Sequence, residues 1–270
     1  MTLNFRCPDN TVTATRGRDT RLGAHVPLIS IVIVVLNGSG TISRALDSIK
    51  SQAFRDFELI IIDGMSTDNT VELLCREPSI DYWVSEQDQG IYDAMNKAVA
   101  VARGKWVYFL GADDTLCDSL GAVAEHFDDE WTIYYGNVHP TGSRKIYNGP
   151  FGPWRLSRHN ICSQAIFYPR SLFESQRFSL QYPVLADWEF NLRCYSNPCY
   201  NFQHIPVTVA NFNNADGVSS TRSDEQFQHD RSNIIRECLP PAYYVLHRLT
   251  RIARVAIDRL KGKLRVLTSV

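Results

Sequence analysis

The sequence predicts an α/β chain: a mostly parallel layered sheet with helices on both faces. Two strand-like runs, 29–36 and 57–62, are almost uninterrupted apolar and β-branched stretches, the pattern of strands covered on both sides. Helical apolar periods follow each of them. The links between strand and helix are short, which selects right-handed crossovers and a parallel sheet over hairpins.

Taken in order, the leader 1–26 is rich in Thr, Arg and Asp, shows no apolar period and is expected to be disordered. The first strand ends at Leu36 and a Gly-rich turn follows. Ile42, Ala45, Leu46 and Ile49 then recur at helical spacing. The second strand ends at Asp63, and Ser66, Thr67 and Asp68 can cap a helix that carries Val71, Leu73 and Leu74. Residues 82–84 read as a short strand. Ile91, Ala94, Met95, Ala98 and Ala102 form one apolar stripe, with Gly104 as the stop. Residues 106–110 are the next strand. Beyond 115 the pattern loosens: 131–138 and 202–212 are strand-like, 139–160 is turn-rich, and a helix starts near Asp187. The expected division is a leader 1–26, a catalytic domain 27–240 and a helical tail 241–270.

Composition removes several classes. With 44% hydrophobic and 21% charged residues and a net charge of −1, the chain has no global electrostatic case for nucleic-acid binding. Its seven cysteines are scattered with no CxxC pair, against a zinc site and in favour of a reducing compartment. No signal peptide and no membrane-spanning run is recognisable, so a cytoplasmic protein is expected.

In open parallel sheets, ligands sit beyond the carboxyl ends of the strands. Here four successive strand ends are polar or acidic: Asn37, Asp63, Glu86 with Asp88, and Asp113 with Asp114. Each alone is explained by a turn or a helix cap, but the repetition is not. Adjacent acids after a buried strand suit Mg²⁺ or Mn²⁺, hard ions that take oxygen ligands and bridge phosphates. The Gly38-Ser39-Gly40 turn with Asp63 nearly matches a dinucleotide fingerprint. Ser43 occupies its third glycine position, and hydride transfer gives Asp113-Asp114 no task.

The run PLISIVIVVLNGSGTISRALDSIKSQAFRDFELIIIDGMSTDNTVELL resembles the start of the family 2 glycosyltransferases. SEQDQGIYDAMNKAVAVARGKWVYFLGADDTL, ICSQAIFYPRSLF, LADWEFNLRCYS and ADGVSS resemble its later blocks in the same order, so the likeness covers about residues 27–240. The resemblance implies a GT-A fold, Rossmann-like in its layering, with an acceptor-side region. It implies an inverting transfer from a nucleotide-diphospho-sugar, UDP-linked by default, to an acceptor hydroxyl. It implies nucleotide contacts from Asp63 and Asp88, and it brings Asp93, Asn96 and Lys97 near the donor. The spacing of Asp93 and Lys97 equally fits an ion pair on one helix face.

Asp113 and Asp114 match the end of the metal motif, usually DAD or DADD; its first acid is replaced by Gly111. Asp187 matches the catalytic base, with Ala186 where Glu is usual and Glu189 as the fallback; an N-cap role is the alternative. Gln164 follows Ser163 where relatives have His, and either orients substrate hydroxyls or bonds backbone. Trp154, Trp188 and Tyr182 are candidates for sugar stacking or for core. The tail carries seven basic residues from Arg248 to Arg265 against one acid, Asp258, interleaved with Leu246, Leu249, Ile252 and Ile257. Such a helix either packs on the domain or makes peripheral contact with an anionic inner membrane face. The acceptor is then a saccharide or lipid-linked saccharide of glycan or surface-polysaccharide synthesis. A sugar-phosphate nucleotidyltransferase and a non-catalytic nucleotide-binding module are the competing readings. The first lacks its Gly- and Arg-rich opening loop here.

Overall fold

A computed structural model describes residues 14–16, 25–143, 145–147, 149–214 and 221–252. The remaining leader, the ADGVSS block and the tail beyond 252 lie outside the described residues. The chain forms one nine-stranded sheet. Its first half comprises β2 (Ile29–Val35), β3 (Phe57–Asp63), β4 (Tyr82–Ser85) and β5 (Trp106–Gly111), all parallel, in the spatial order β4-β3-β2-β5. The order reverses at β2, since β3 and β4 lie to one side and β5 to the other. This makes the crevice between the β2 and β5 ends the natural ligand position.

Both faces of these strands are buried, as their apolar runs require. Ile31, Ile33 and Val35 pack with α1 (Ile42–Lys50) through Ile42, Ala45, Leu46 and Ile49. Val32, Ile60 and Ile62 pack on the other face with α3 (Ile91–Val101) through Ala94, Met95, Ala98 and Val99. Each such side chain contributes about 1.5–3 kcal/mol when fully buried.

The second half completes the sheet. After β6 (Thr115–Leu116) come α4 (Leu120–Ala124), β7 (Thr132–Pro140), α5 (Pro153–Leu156), a 3₁₀ turn Ser163–Ala165 and β8 (Ile166–Pro169). Then follow α6 (Leu172–Ser175), α7 (Ala186–Ser196), β9 (Asn201–Phe212) and α8 (Glu225–Cys238). β8 joins β5 antiparallel, with Tyr108 opposite Phe167. Its start therefore delivers Ser163–Ala165 to the carboxyl end of β5. β9 pairs antiparallel with β6, so that Asn213 emerges beside Asp113 and Asp114. Helix α2 (Thr70–Arg76) lies between β3 and β4 in sequence.

Several expectations are corrected. Within the leader, Ala14–Arg16 forms β1, antiparallel to β4, which covers an edge that a four-residue strand would otherwise leave open. Asn69, not Ser66, Thr67 or Asp68, is the N-cap of α2; Asp68 instead accepts the Thr70 backbone N–H. On α3 the buried stripe starts at Tyr92, while Ile91 is exposed. Helix α3 ends at Val101 without using Gly104. A Cβ on Gly104 would lie 2.4 Å from the Ser30 amide nitrogen, so that glycine permits close approach of backbone to β2. The described start of the tail, 241–252, is helical. Among the described residues no helix is long and apolar enough to cross a membrane.

Candidate active site

The turn after β2 is locked to the loop after β3. Asn37 adopts a left-handed conformation, φ +53°, which Asn tolerates better than most residues. Its Oδ1 accepts from the Thr67 amide at 2.8 Å, and its own amide donates to Ser66 Oγ at 2.7 Å. The Gly38 and Ser39 amides donate to Thr70 Oγ1 and Asp68 Oδ2. Hydrogen bonds from Thr70 and Ser39 hold the Asp68 carboxyl well below its usual range.

At the β5 end, Asp113 and Asp114 curl back over Gly111. A Cβ there would stand 2.3 Å from Asp114 Oδ2 and 3.1 Å from Asp113 Oδ1. The acid missing at 111 is thus replaced by the space its successors use. Asp114 is 2% exposed and accepts from the Asn213 amide at 2.6 Å; Asn213 Nδ2 donates to Asp113 Oδ2 at 3.0 Å. Burial raises the Asp114 carboxyl to about 7; the Asp113 charge pushes the same way, while the Asn213 amide and the Gln164 side chain oppose it. Asp113 keeps partial exposure. Among the described residues no group of three or more His, Cys, Asp or Glu is arranged as a metal cage.

Asp187 lies in the first turn of α7. Its Oδ1 accepts from Tyr92 Oη at 2.8 Å and the Trp188 amide at 2.9 Å; its Oδ2 accepts from Asn160 Nδ2 at 2.7 Å. Burial raises this carboxyl to about 6, against those three hydrogen bonds and one from its own backbone N–H. The Cys162 thiol, pushed up to about 12 chiefly by burial, is raised further by both Asp114 and Asp187, so both acids lie near it.

Residues 30–190 match the model of Glycosyl transferase family 2. The chain belongs to this family.

This glycosyltransferase is 41% identical over 213 residues to a PGL/p-HBAD biosynthesis glycosyltransferase of Mycobacterium tuberculosis, covering 74% of the chain and 82% of the relative. An uncharacterized glycosyltransferase of the same species is 30% identical over 181 residues, covering 62% and 68%. The fold is similar to Staphylococcus aureus TarS 1–349 in complex with UDP-GlcNAc, with a TM-score of 0.62 at 18% identity over 80% of this chain and 69% of that one. It is also similar to the mannosyltransferase PcManGT from Pyrobaculum calidifontis in complex with GDP-Man and Mn²⁺. There the TM-score is 0.56 at 16% identity, over 91% and 81% of the two chains. The mixed α/β architecture is that of the GT-A glycosyltransferases.

The remaining candidate residues fall into two groups. Gln164 joins the site: its side chain bonds Asp114 and accepts from Ser163 Oγ at 3.1 Å. Asp88 lies over Gly64, where a Cβ would come within 2.5 Å of its Oδ2, and it accepts from the Gly90 amide. Asp63 is fully buried, with its carboxylate engaged by the hydroxyls of Ser66 and Ser85, so it holds the loop after β3. Lys97 pairs with Glu86 at 3.0 Å and Asp93 at 3.6 Å and donates to Gln87 O, while Asp93 accepts from the Gln89 amide. These two residues clamp the 86–90 loop to α3, because Glu86 and the loop carbonyl lie within the reach of the lysine. Asn96 likewise ties α3 to Phe178 through both backbone groups.

Glu189 is bound to Arg193, which removes the fallback base. Leu185, not Asp187, is the N-cap of α7. Trp188 and Tyr182 are core, both packed on Phe227; Trp154 is half-buried beneath Arg158. Tyr92, Asn160 and Asn213 went unrecognised in the sequence. The available signal was Tyr92 itself: a tyrosine on a buried helical stripe needs a partner for its hydroxyl.

Proposed function

We propose that this glycosyltransferase is an inverting enzyme of glycan synthesis that moves a sugar from a nucleotide-diphospho-sugar to an acceptor hydroxyl, with Asp187 as general base. The observation that carries this reading is that Asp187 and the buried Asp114 both lie close enough to Cys162 to raise its thiol, which brings the proposed base near the Asp113-Asp114 pair. A base with a carboxyl near 6 is ionised at neutral pH yet basic enough to accept a proton as the acceptor oxygen attacks. A single displacement from the side opposite the leaving diphosphate inverts the anomeric centre.

The donor set fits a hard divalent cation shared with substrate phosphates. Two neighbouring carboxylates, one of them raised by burial and by the charge of the other, are a site that a cation would relieve. Mg²⁺ and Mn²⁺ bind through one or two carboxylates plus phosphate oxygens, without a full protein cage. Asp113, the more exposed of the two, would be the direct ligand. Asp114, held by Asn213 and Gln164, would support it. When bound, such an ion balances the charge developing on the departing diphosphate. The loop 64–69 and Asp88 would form the nucleotide wall, with Asp63 fixing that loop from beneath.

The test is a panel of nucleoside diphosphates, UDP included, scored by melting temperature with and without Mn²⁺. One nucleotide should raise the melting temperature only with metal, since it binds the folded state alone. Asp113→Asn should abolish that increment and the transfer activity. An undiminished metal-dependent increment in Asp113→Asn would assign the ion elsewhere.

The described part of the tail favours peripheral membrane contact as a component of this function. Tyr243, Tyr244 and His247 face the domain, while Val245, Leu246, Leu249 and Ile252 are 45–61% exposed on the outer side. Burial, with Arg231, Arg251 and Arg248 nearby, lowers the His247 ring to about 4, so the ring is neutral and the positive charge near the exposed apolar stripe is that of the arginines. That combination suits an anionic lipid surface and a lipid-linked saccharide acceptor.

A further inference from the structure

The Asp187 carboxylate is surrounded by donors of fixed and of switchable direction. On the fixed side, Tyr168 Oη donates to Asn191 Oδ1 at 2.8 Å, Asn191 Nδ2 to Asn160 Oδ1 at 2.9 Å, and Asn160 Nδ2 to Asp187 Oδ2 at 2.7 Å. Each amide has its oxygen and nitrogen committed, so this chain points one way. On the other side, Tyr92 Oη lies 2.8 Å from Asp187 Oδ1 and 2.7 Å from the Val184 carbonyl oxygen. A phenol has one proton and cannot donate to both. The Val184 peptide is itself held, since its N–H and that of Leu185 donate to Asp224 Oδ2 at 3.0 Å. The carbonyl therefore stays within reach of Tyr92 whatever Asp187 does.

We propose that Tyr92 is a positioning residue that follows the protonation state of Asp187, donating to its Oδ1 while the acid is ionised and to Val184 O once the acid holds a proton. The inference rests on the reading of Asp187 as base. Oδ1 accepts from Tyr92 and the Trp188 amide, Oδ2 from Asn160, and the Asp187 backbone N–H also bonds the carboxylate. The acceptor O–H bond breaks, an O–H bond forms at the Asp187 carboxylate, and the acceptor oxygen's pair forms the new glycosidic bond. The leaving diphosphate departs with the pair of the broken C1–O bond. As Asp187 loses its charge, the Tyr92 proton turns to Val184 O, and the phenol keeps an acceptor in either state.

The titratable groups facing Asp187 are Tyr92 from α3, Tyr168 from β8 and Cys162 from the turn before it. Burial raises all three, the two phenols well above their usual value and the thiol to about 12. None of them ionises between about pH 5 and 8; Asp114, raised to about 7, does titrate there, so the Asp187 midpoint is read from its own carboxyl resonance.

The full-length protein, free of substrate, provides the test. With ¹³C-labelled aspartate carboxyls, the resonance lost in Asp187→Asn reports Asp187. Tyr92→Phe keeps the ring against Phe178 and removes the donor. It should raise that midpoint by about one unit, because the ionised form loses a hydrogen bond. 3-Fluorotyrosine at position 92, a stronger donor of nearly the same size, should lower it, and its ¹⁹F resonance should titrate with the Asp187 midpoint. An unmoved midpoint in both variants, or a flat ¹⁹F shift through it, overturns the proposal. If Tyr92→Phe does not fold, the fluorotyrosine variant decides alone. Full turnover in Asp187→Asn would instead remove the base assignment while leaving the titration result standing, so the two failures are distinguishable.

Discussion

At the scale of single residues, Asp187 joins two opposed demands. Its folded pKa, about 6, lies above the ordinary aspartate value because burial outweighs its hydrogen bonds. The native state therefore binds this proton more tightly than the unfolded chain. The stability so gained is present at acid pH and is lost as pH rises through about 6. Activity runs the other way, because only the ionised form accepts a proton. Turnover should climb through pH 6 to a plateau, and a kcat/KM profile already flat at pH 5 would remove Asp187 as the titrating group. Asp187→Asn should lower turnover by about 10²–10⁴-fold with donor binding retained. The amide would also face Asn160 Nδ2 donor to donor, so some loss of melting temperature is expected and should be measured alongside. Loss of nucleotide affinity with turnover intact would move Asp187 to the donor pocket. Sequence alone could identify this acid through the LADWEFNLR block. It could not supply Tyr92 and Asn160, which lie 95 and 27 positions away with no local period to link them; Asn191, four positions on, shares its helix.

At the scale of elements, the parallel half of the sheet was legible because doubly buried strands write their burial into consecutive residues. β2, β3 and β5 follow from the alternation of their side chains between two cores. β1 was not legible: three residues of edge strand carry no period, and their pairing is supplied by β4. The caps were misread where a polar side chain had two acceptable tasks. Asp63 after a buried strand fits a ligand contact and an inward loop anchor by type, and its anchoring partners Ser66 and Ser85 are visible only in the structure. The turn after β5 offers an element-level test. Gly111→Asp would restore the usual first acid of the family motif, yet its Cβ would meet Asp114 Oδ2 at 2.3 Å. Asp114 is pinned by Asn213 and Gln164 and cannot swing away without losing both. The substitution should destabilise the protein by about 1–3 kcal/mol, as overpacking of a filled site does. It should reduce transfer rather than improve it. A Gly111→Asp protein as stable and active as the parent, by thermal melt and initial rate, would contradict this packing.

At the scale of the whole molecule, the sheet divides the work. The parallel half and its β2/β5 reversal would shape the proposed nucleotide site, with the proposed base carried by α7. The polar strand ends were readable in the chain; the reversal at β2 was not, because it belongs to the spatial order of the strands. The second half was not, because its strands mix directions and its contacts join distant segments, as β7 does with β9. One face of the described tail, 241–252, packs on the domain and the other is exposed, so packing is established and membrane contact stands as the proposal. Truncation from 243 would strip Tyr243, Tyr244 and His247 from the domain, so a surface substitution is the cleaner probe. Val245→Glu with Leu249→Glu should leave the melting temperature unchanged and weaken binding to anionic vesicles more than about tenfold, from the lost apolar burial of two side chains. Raised salt should weaken binding of the parent protein in the same direction. Sedimentation with vesicles that found equal binding would end the membrane assignment and leave the stripe as inert surface.

The space above Gly111 also bears on how such a sequence can change over generations. A glycine codon lies one base from an aspartate codon, so the missing acid is mutationally near. The carboxylate of Asp114 makes that neighbour unfit, because the new side chain and the old one claim the same volume. A lineage could regain the acid only if position 114, or its holders Asn213 and Gln164, yielded first. The order of substitutions then matters more than their number, and this motif is held in its present form by packing as well as by selection on catalysis.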